Sequence, residues 1–317
     1  MPAGIGWAMT ALLFLPLLLP FTLPPLARRC LDRLAPVTAL WTLTCAVLVL
    51  AGASVAALGA LVLNGLLKVP VLASLGELVH PLRTASDLVV LPAAAGATGV
   101  LTVGAWTLVR SAVRQLRAFR VARTRAGRRP AAGDLCVIES PHPDAYALPG
   151  RPHRIVVTTA MLRSLAPRER EVLFAHERAH NDYGHHRFLL AAELAAHCHP
   201  GLRPVRAAVA LAAERAADEA AAAVVGDRRL TARAIARAAL ATQAARSDRP
   251  DFAPAVSTGP VPRRVAALLA APRRRSRAAF WPALLVVACA CVSAGSSAAG
   301  VLAFHHQVEV AQGEAVR

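Results

Sequence analysis

Lysine occurs once, at Lys68, so 35 of the 36 basic residues are arginine; with the wealth of alanine this reads as GC-rich coding. Charged residues make up only 17% of the 317 positions and aromatics 4%, whereas 56% are apolar. That balance excludes a disordered chain, and a soluble enzyme carries nearer a quarter charged. The mean hydropathy of +0.45 points instead to membrane spans. The six cysteines include no CxxC pair, so neither a disulfide framework nor a cysteine-based zinc knuckle is expected. The N-terminal apolar run has no basic leader and no small-x-small site after it, so it reads as a retained span, not a cleaved signal peptide.

The net charge of +17 is concentrated. Residues 27–36 carry +2, residues 110–129 carry eight arginines and no acid, and residues 263–277 carry six arginines and no acid. Residues 130–262 hold 16 arginines against 14 acids. A nucleic-acid-binding domain gathers its excess charge on the folded unit. Here each run abuts an apolar stretch, the positive-inside pattern of a membrane protein. No direct nucleic-acid partner is therefore expected, and the arginine runs suit anionic lipid head groups.

The apolar stretches are Trp7–Leu26, Val37–Leu63, Leu88–Val109 and Ala279–Phe304, none containing a charge. Each reaches the roughly 20 residues that cross hydrocarbon as a helix. Four prolines (Pro16, Pro20, Pro24, Pro25) predict a kinked or shortened first helix. Placing every arginine run on the inner side gives three spans in 1–109, a cytoplasmic domain at 110–278, a fourth span at 279–304 and an external tail at 305–317. Both termini then lie outside, and the neutral segment 64–87 is an external loop.

Within 110–278 stands His176-Glu177-Arg178-Ala179-His180. The apolar spacing predicts an amphipathic helix from about 167, with Pro167 in the first turn and Glu169 and Glu171 favoured there by the helix dipole. His176 and His180, four apart, share a face. That spacing lets two imidazoles bind one Zn²⁺, with Glu177 beside them as the base for water. A catalytic zinc needs a third protein ligand. The alanine-rich helix predicted over Arg203–Val225 offers Glu214, with Asp218 one turn on as a hydrogen-bond partner for a zinc-binding histidine. His185, His186, His197 and His199 compete for the third place. His197-Cys198-His199 runs straight into Pro200-Gly201, which reads as a helix end. His185 and His186 are expected to line a helix end or the membrane interface.

Upstream, Asp134–Glu139 and Arg154–Thr159 are short and β-branched. A strand at Ala145, Tyr146, Ala147 and Leu148, beside the active helix, can pair an extended peptide through its edge; an ordinary edge strand fits the sequence equally well. A helix at 229–245, then a Pro/Ser/Asp loop, complete the domain. In the fourth stretch, Gly295, Gly300 and several serines allow close helix packing, or are plain filler.

The order AYALPG, RIVVTT, HERAH, ERAAD resembles the membrane zinc metallopeptidases. Three spans before the HExxH domain and one after resemble the BlaR/MecR-type antirepressor peptidases. Prenyl-protease and heat-shock membrane protease families share the motifs with a different span order. The resemblance implies one Zn²⁺ held by His176, His180 and Glu214, with Glu177 as base and Asp218 behind them. It makes Val261–Leu269 the short helix that closes such domains, with Arg264 the matching arginine at the substrate side. Only about a dozen residues follow Phe304, so the external penicillin-binding sensor of those transducers is not expected. The expected fold is an α-helical membrane protein of four transmembrane helices with an inserted α+β zincin-like metallopeptidase domain. The expected activity is zinc-dependent endoproteolysis in regulatory signalling. The substrate would be a cytoplasmic or membrane-proximal protein, for which the resemblance suggests a winged-helix transcriptional repressor or the enzyme's own chain. A quality-control protease of heat-shock type and a non-catalytic scaffold with a vestigial metal site are the alternatives.

Overall fold

The computed structural model describes residues 12–66, 87–127, 132–246, 260–270 and 280–312. The Pro/Ser/Asp loop and the external loop expected from the sequence lie almost wholly outside the described residues. Four helical segments are long and apolar enough to cross a membrane: Leu12–Arg33, Pro36–Leu66, Val90–Gly127 and Trp281–Ala303. The first is broken by a 3₁₀ turn at Leu19–Thr22 and then continues as α1 (Leu23–Arg33). Pro20, Pro24 and Pro25 lack the N–H that a regular ladder needs, which accounts for the break. The helix extends through Arg28 and Arg29, further than the apolar run alone indicated.

α2 (Pro36–Leu66) and α10 (Trp281–Gln312) are the most extensively packed pair of spans. Their seam uses small residues, as expected where lipid supplies no hydrophobic drive. Ser297 donates its hydroxyl to the Ala53 carbonyl at 2.9 Å; Gly300 faces Leu13 of the first span, not α2, so closely that a Cβ there would push the leucine side chain aside. Gly295 meets nothing and plays no part in that seam. α3 (Asp87–Gly127) is one 41-residue helix; the arginine run expected to follow the third span is its helical continuation. α10 likewise continues past Phe304, so the start of the expected tail is helical.

The remaining elements are mostly helical with one small sheet. β1 (Leu135–Ile138) runs parallel to β3 (Arg154–Thr158), and β2 (Ala145–Leu148) pairs antiparallel with β3, giving the order β1-β3-β2. β2 therefore occupies an edge. α4 (Thr159–Ser164) leads to α5 (Pro167–Asp182), followed by α6 (His185–Cys198), a 3₁₀ turn at Pro200–Leu202, α7 (Val205–Val225), α8 (Arg228–Arg246) and α9 (Pro260–Leu269). The ranges of the three strands and of α5, α7, α8 and α9 agree with the sequence expectations to within a residue or two; α4 and α6 had no counterpart there.

The division of the chain at 109/110 leaves one feature unforeseen. α6 and the first half of α7 share a single core with the spans: Ala192, Ala195, Leu202, Val205, Val209 and Leu211 pack with α1 and α2. Phe188 meets Trp41 edge-to-face at 4.8 Å. Glu193 accepts from Ser111 of α3 at 3.3 Å and pairs with Arg206 at 2.5 Å. At the turn between α6 and α7, the His199 Nε2 lies 3.0 Å from the Leu17 carbonyl. A helical hairpin is thus inserted between the spans, reaching the middle of the first one.

Candidate metal centre

α5 begins as the sequence indicates. Pro167 takes the first turn; Ala166 has no side chain to cap it, and the Glu169 carboxylate accepts the Ala166 N–H at 2.9 Å. Arg237 of α8 donates to the buried Glu169 at 2.8 Å, tying the two helices. Val172 and Ala175 pack against Ala221, Leu230 and Ala234. Asn181 donates to the Arg154 carbonyl at 3.2 Å, and Arg178 grips Asp134 with two nitrogens. These contacts fix the inner face of α5, which carries His176 and His180.

The three expected ligands converge. The His176 and His180 Nε2 atoms are 3.1 Å apart, and each lies 3.5 Å from a different oxygen of Glu214. Donors bonded to one tetrahedral zinc at about 2.0–2.2 Å are about 3.3–3.6 Å apart. Two edges of the observed triangle lie in that range and the His176–His180 edge, at 3.1 Å, is slightly shorter, so the residues fit a zinc ion. Among the described residues this is the one group of histidine, cysteine and carboxylate side chains so clustered. His186, His197 and His199 are not part of it.

The far sides of the imidazoles are also occupied. The His176 Nδ1 lies 3.1 Å from Asp218, the partner expected of it. Asp218 is buried and receives two nitrogens of Arg264, at 2.7 and 2.8 Å; a third nitrogen reaches Glu214 at 2.7 Å. Arg264 was expected on the substrate side. It lines the cavity, yet its guanidinium is turned to these two carboxylates. The His180 Nδ1 lies 3.1 Å from the Nδ1 of His185. Sequence reasoning assigned His185 to a helix end; it opens α6 but is buried against His180.

Charges follow from this packing. Burial drives the His176 imidazole down, but hydrogen bonds to Asp218 and Glu214 outweigh it and hold it up at about 10. Burial and the His176 charge push His180 down to about 3. Burial raises Glu214, but the His176 hydrogen bond and charge, with Arg264, hold it at about 2. Burial, reinforced by the Glu214 charge, raises Glu177 above the usual carboxylate range, as suits a group that must take up a proton.

The site opens into a cavity of about 390 Å³. β2 forms one wall, with Ala145, Tyr146 and Ala147 all lining it, and the Ala147 backbone hydrogen-bonds to Glu177. Met161, Val172, Leu173, Ile235 and Ala238 add apolar lining to it.

Residues 113–210 match the model of Peptidase family M48, a family of metallopeptidases. The matched segment includes β2, His176, Glu177 and His180 and stops short of Glu214. Neither the curated proteins nor the solved structures returned a match.

Proposed function

We propose that this protein is a membrane-embedded zinc endopeptidase, with His176, His180 and Glu214 as ligands and Glu177 as general base. The observation that carries the reading is the triangle of two Nε2 atoms and one carboxylate, with Glu177 buried beside it and an open cavity in front. When bound, the ion supplies a Lewis acid that acidifies water and polarises a peptide carbonyl.

Glu177 takes the proton from the attacking water and passes it to the leaving amine, so its oxygens must stay unprotonated until water arrives. The Ala147 N–H holds that carboxylate against β2. The β2 edge offers backbone groups to an extended peptide, aligning a scissile bond across the cavity. Arg264 and Asp218 hold Glu214 and His176 in place, which limits reorganisation during the reaction.

The charge pattern supports a cytoplasmic domain over 110–278, with both termini outside. The resemblance to BlaR/MecR-type peptidases supports a regulatory substrate, a winged-helix repressor or the chain itself, cleaved near the inner membrane surface. The test is Glu177→Gln in the full chain. Zinc content should stay near one per chain while cleavage is lost; retained cleavage of every substrate overturns the reading. Cleavage sites in cells carrying each form then separate the roles: one or two altered sites support signalling, whereas many mark a quality-control protease. Less than about half a zinc per purified chain supports a vestigial scaffold.

A further inference from the structure

We propose that His185 is a positioning residue for the metal ligand His180, accepting the Nδ1 proton of His180 on its own Nδ1. The inference rests on the zinc reading above and extends it to a residue outside the ligand set. With the Nε2 of His180 turned to the ligand triangle, its remaining proton must sit on Nδ1 and needs an acceptor in a buried place. The partner at 3.1 Å is the Nδ1 of His185, within ordinary hydrogen-bond range. The rings meet at 86° with centroids 4.9 Å apart.

His185 is 2% exposed. To accept at Nδ1 it must be neutral with its proton on Nε2. The two ligands are therefore held differently: His176 by the carboxylate of Asp218, His180 by a neutral imidazole.

The placement of His185 comes from the backbone. Gly184 stands in the left-handed region, φ +62°, where a side chain is strained. That one residue turns the chain between α5 and α6 and brings residue 185 back over residue 180. α6 itself is fixed by the spans, through Phe188 on Trp41, Ala192 and Ala195 in their shared core, and Glu193 on Ser111.

The experiment uses the full chain in detergent, with Co²⁺ and Zn²⁺ as probes. Metal affinity is read by chelator competition, site geometry by the Co²⁺ absorption spectrum, and folding by the melting temperature without metal. His185→Asn keeps a polar atom near the Nδ1 position, whereas His185→Gln places one near Nε2. Asn should bind within a fewfold of the parent with the parent spectrum. Gln and His185→Phe should lose about 10–100-fold in affinity, the range for removing such a partner. Gln and Asn serve as the folded comparison if Phe does not fold. Equal affinity of Gln, Asn and parent overturns the positioning role while leaving the zinc reading intact. A parent chain that binds neither metal overturns both.

Discussion

The Arg215 guanidinium donates to the Leu31 carbonyl at 2.6 Å, joining the helix that carries Glu214 to the C-terminal end of the first span. Leu31 lies in the last turn of α1, where carbonyls have no partner within the helix. Arg215 supplies one from the position directly after Glu214, so the third ligand is anchored to the membrane part of the protein. Arg215→Leu should lower stability by about 1.5–3 kcal/mol, the usual range for a hydrogen bond from a charged group. A melt in detergent measures the loss. Metal affinity should fall as well; unchanged affinity would show that Glu214 holds its place without this anchor.

The turn between α6 and α7 gives a second prediction. A Cβ on Gly201 would lie 3.1 Å from the Pro20 carbonyl carbon and the Phe21 nitrogen. Backbone atoms yield less readily than the end of a side chain. Gly201→Ala should therefore strain the hairpin, and Gly201→Leu should cost about 1–3 kcal/mol or more as overpacking. The melting temperatures should fall in the order glycine, alanine, leucine; leucine as stable as glycine would contradict the close approach.

Arg264 holds two carboxylates, one of them fully buried. Arg264→Met leaves both to share the protonated His176 as their cation and should destabilise the metal-free protein, by up to about 3–5 kcal/mol. Added Zn²⁺ should recover part of the loss, because a bound cation offsets the charge on Glu214. Melting with and without metal tests this, and the recovery should vanish in the Arg264→Met, Glu214→Ala double variant.

Metal loading should release protons. His176, raised to about 10, carries a proton at neutral pH in the metal-free site, whereas His180 at about 3 and Glu214 at about 2 do not. A metal needs the bare Nε2 of His176, so one proton must leave. Apparent affinity should therefore rise about tenfold per pH unit between pH 6 and 9, and weaken as the pH falls. Calorimetry in two buffers of different ionisation heat should count about one proton per ion. A pH-independent affinity would mean that His176 is already neutral.

The site was legible to different depths. His176 and His180 could be placed together from a spacing of four on a helix whose start Pro167 and Glu169 mark. Glu214 could only be selected by type, because nothing local relates residue 214 to residue 176. Arg264 came from resemblance alone, and its turn toward Asp218 and Glu214 depends on α9 packing beside α7. The place of His185 behind His180 was missed because five residues beyond His180 is the wrong spacing for one helical face. The available signal was Gly184, a residue suited to reversing the chain just before it.

By itself the sequence determined the elements and the chemistry within them: four apolar helices, three short strands and an HExxH helix. Those follow from periodicity and composition, which act over a few residues. Only the tertiary structure decided that α6 and α7 insert between the spans and that an arginine closes the site from behind. It also decided that an imidazole, not a carboxylate, stands behind His180. Such contacts join residues tens to hundreds of positions apart, or turn on one backbone angle, and they arise from packing that no local pattern encodes.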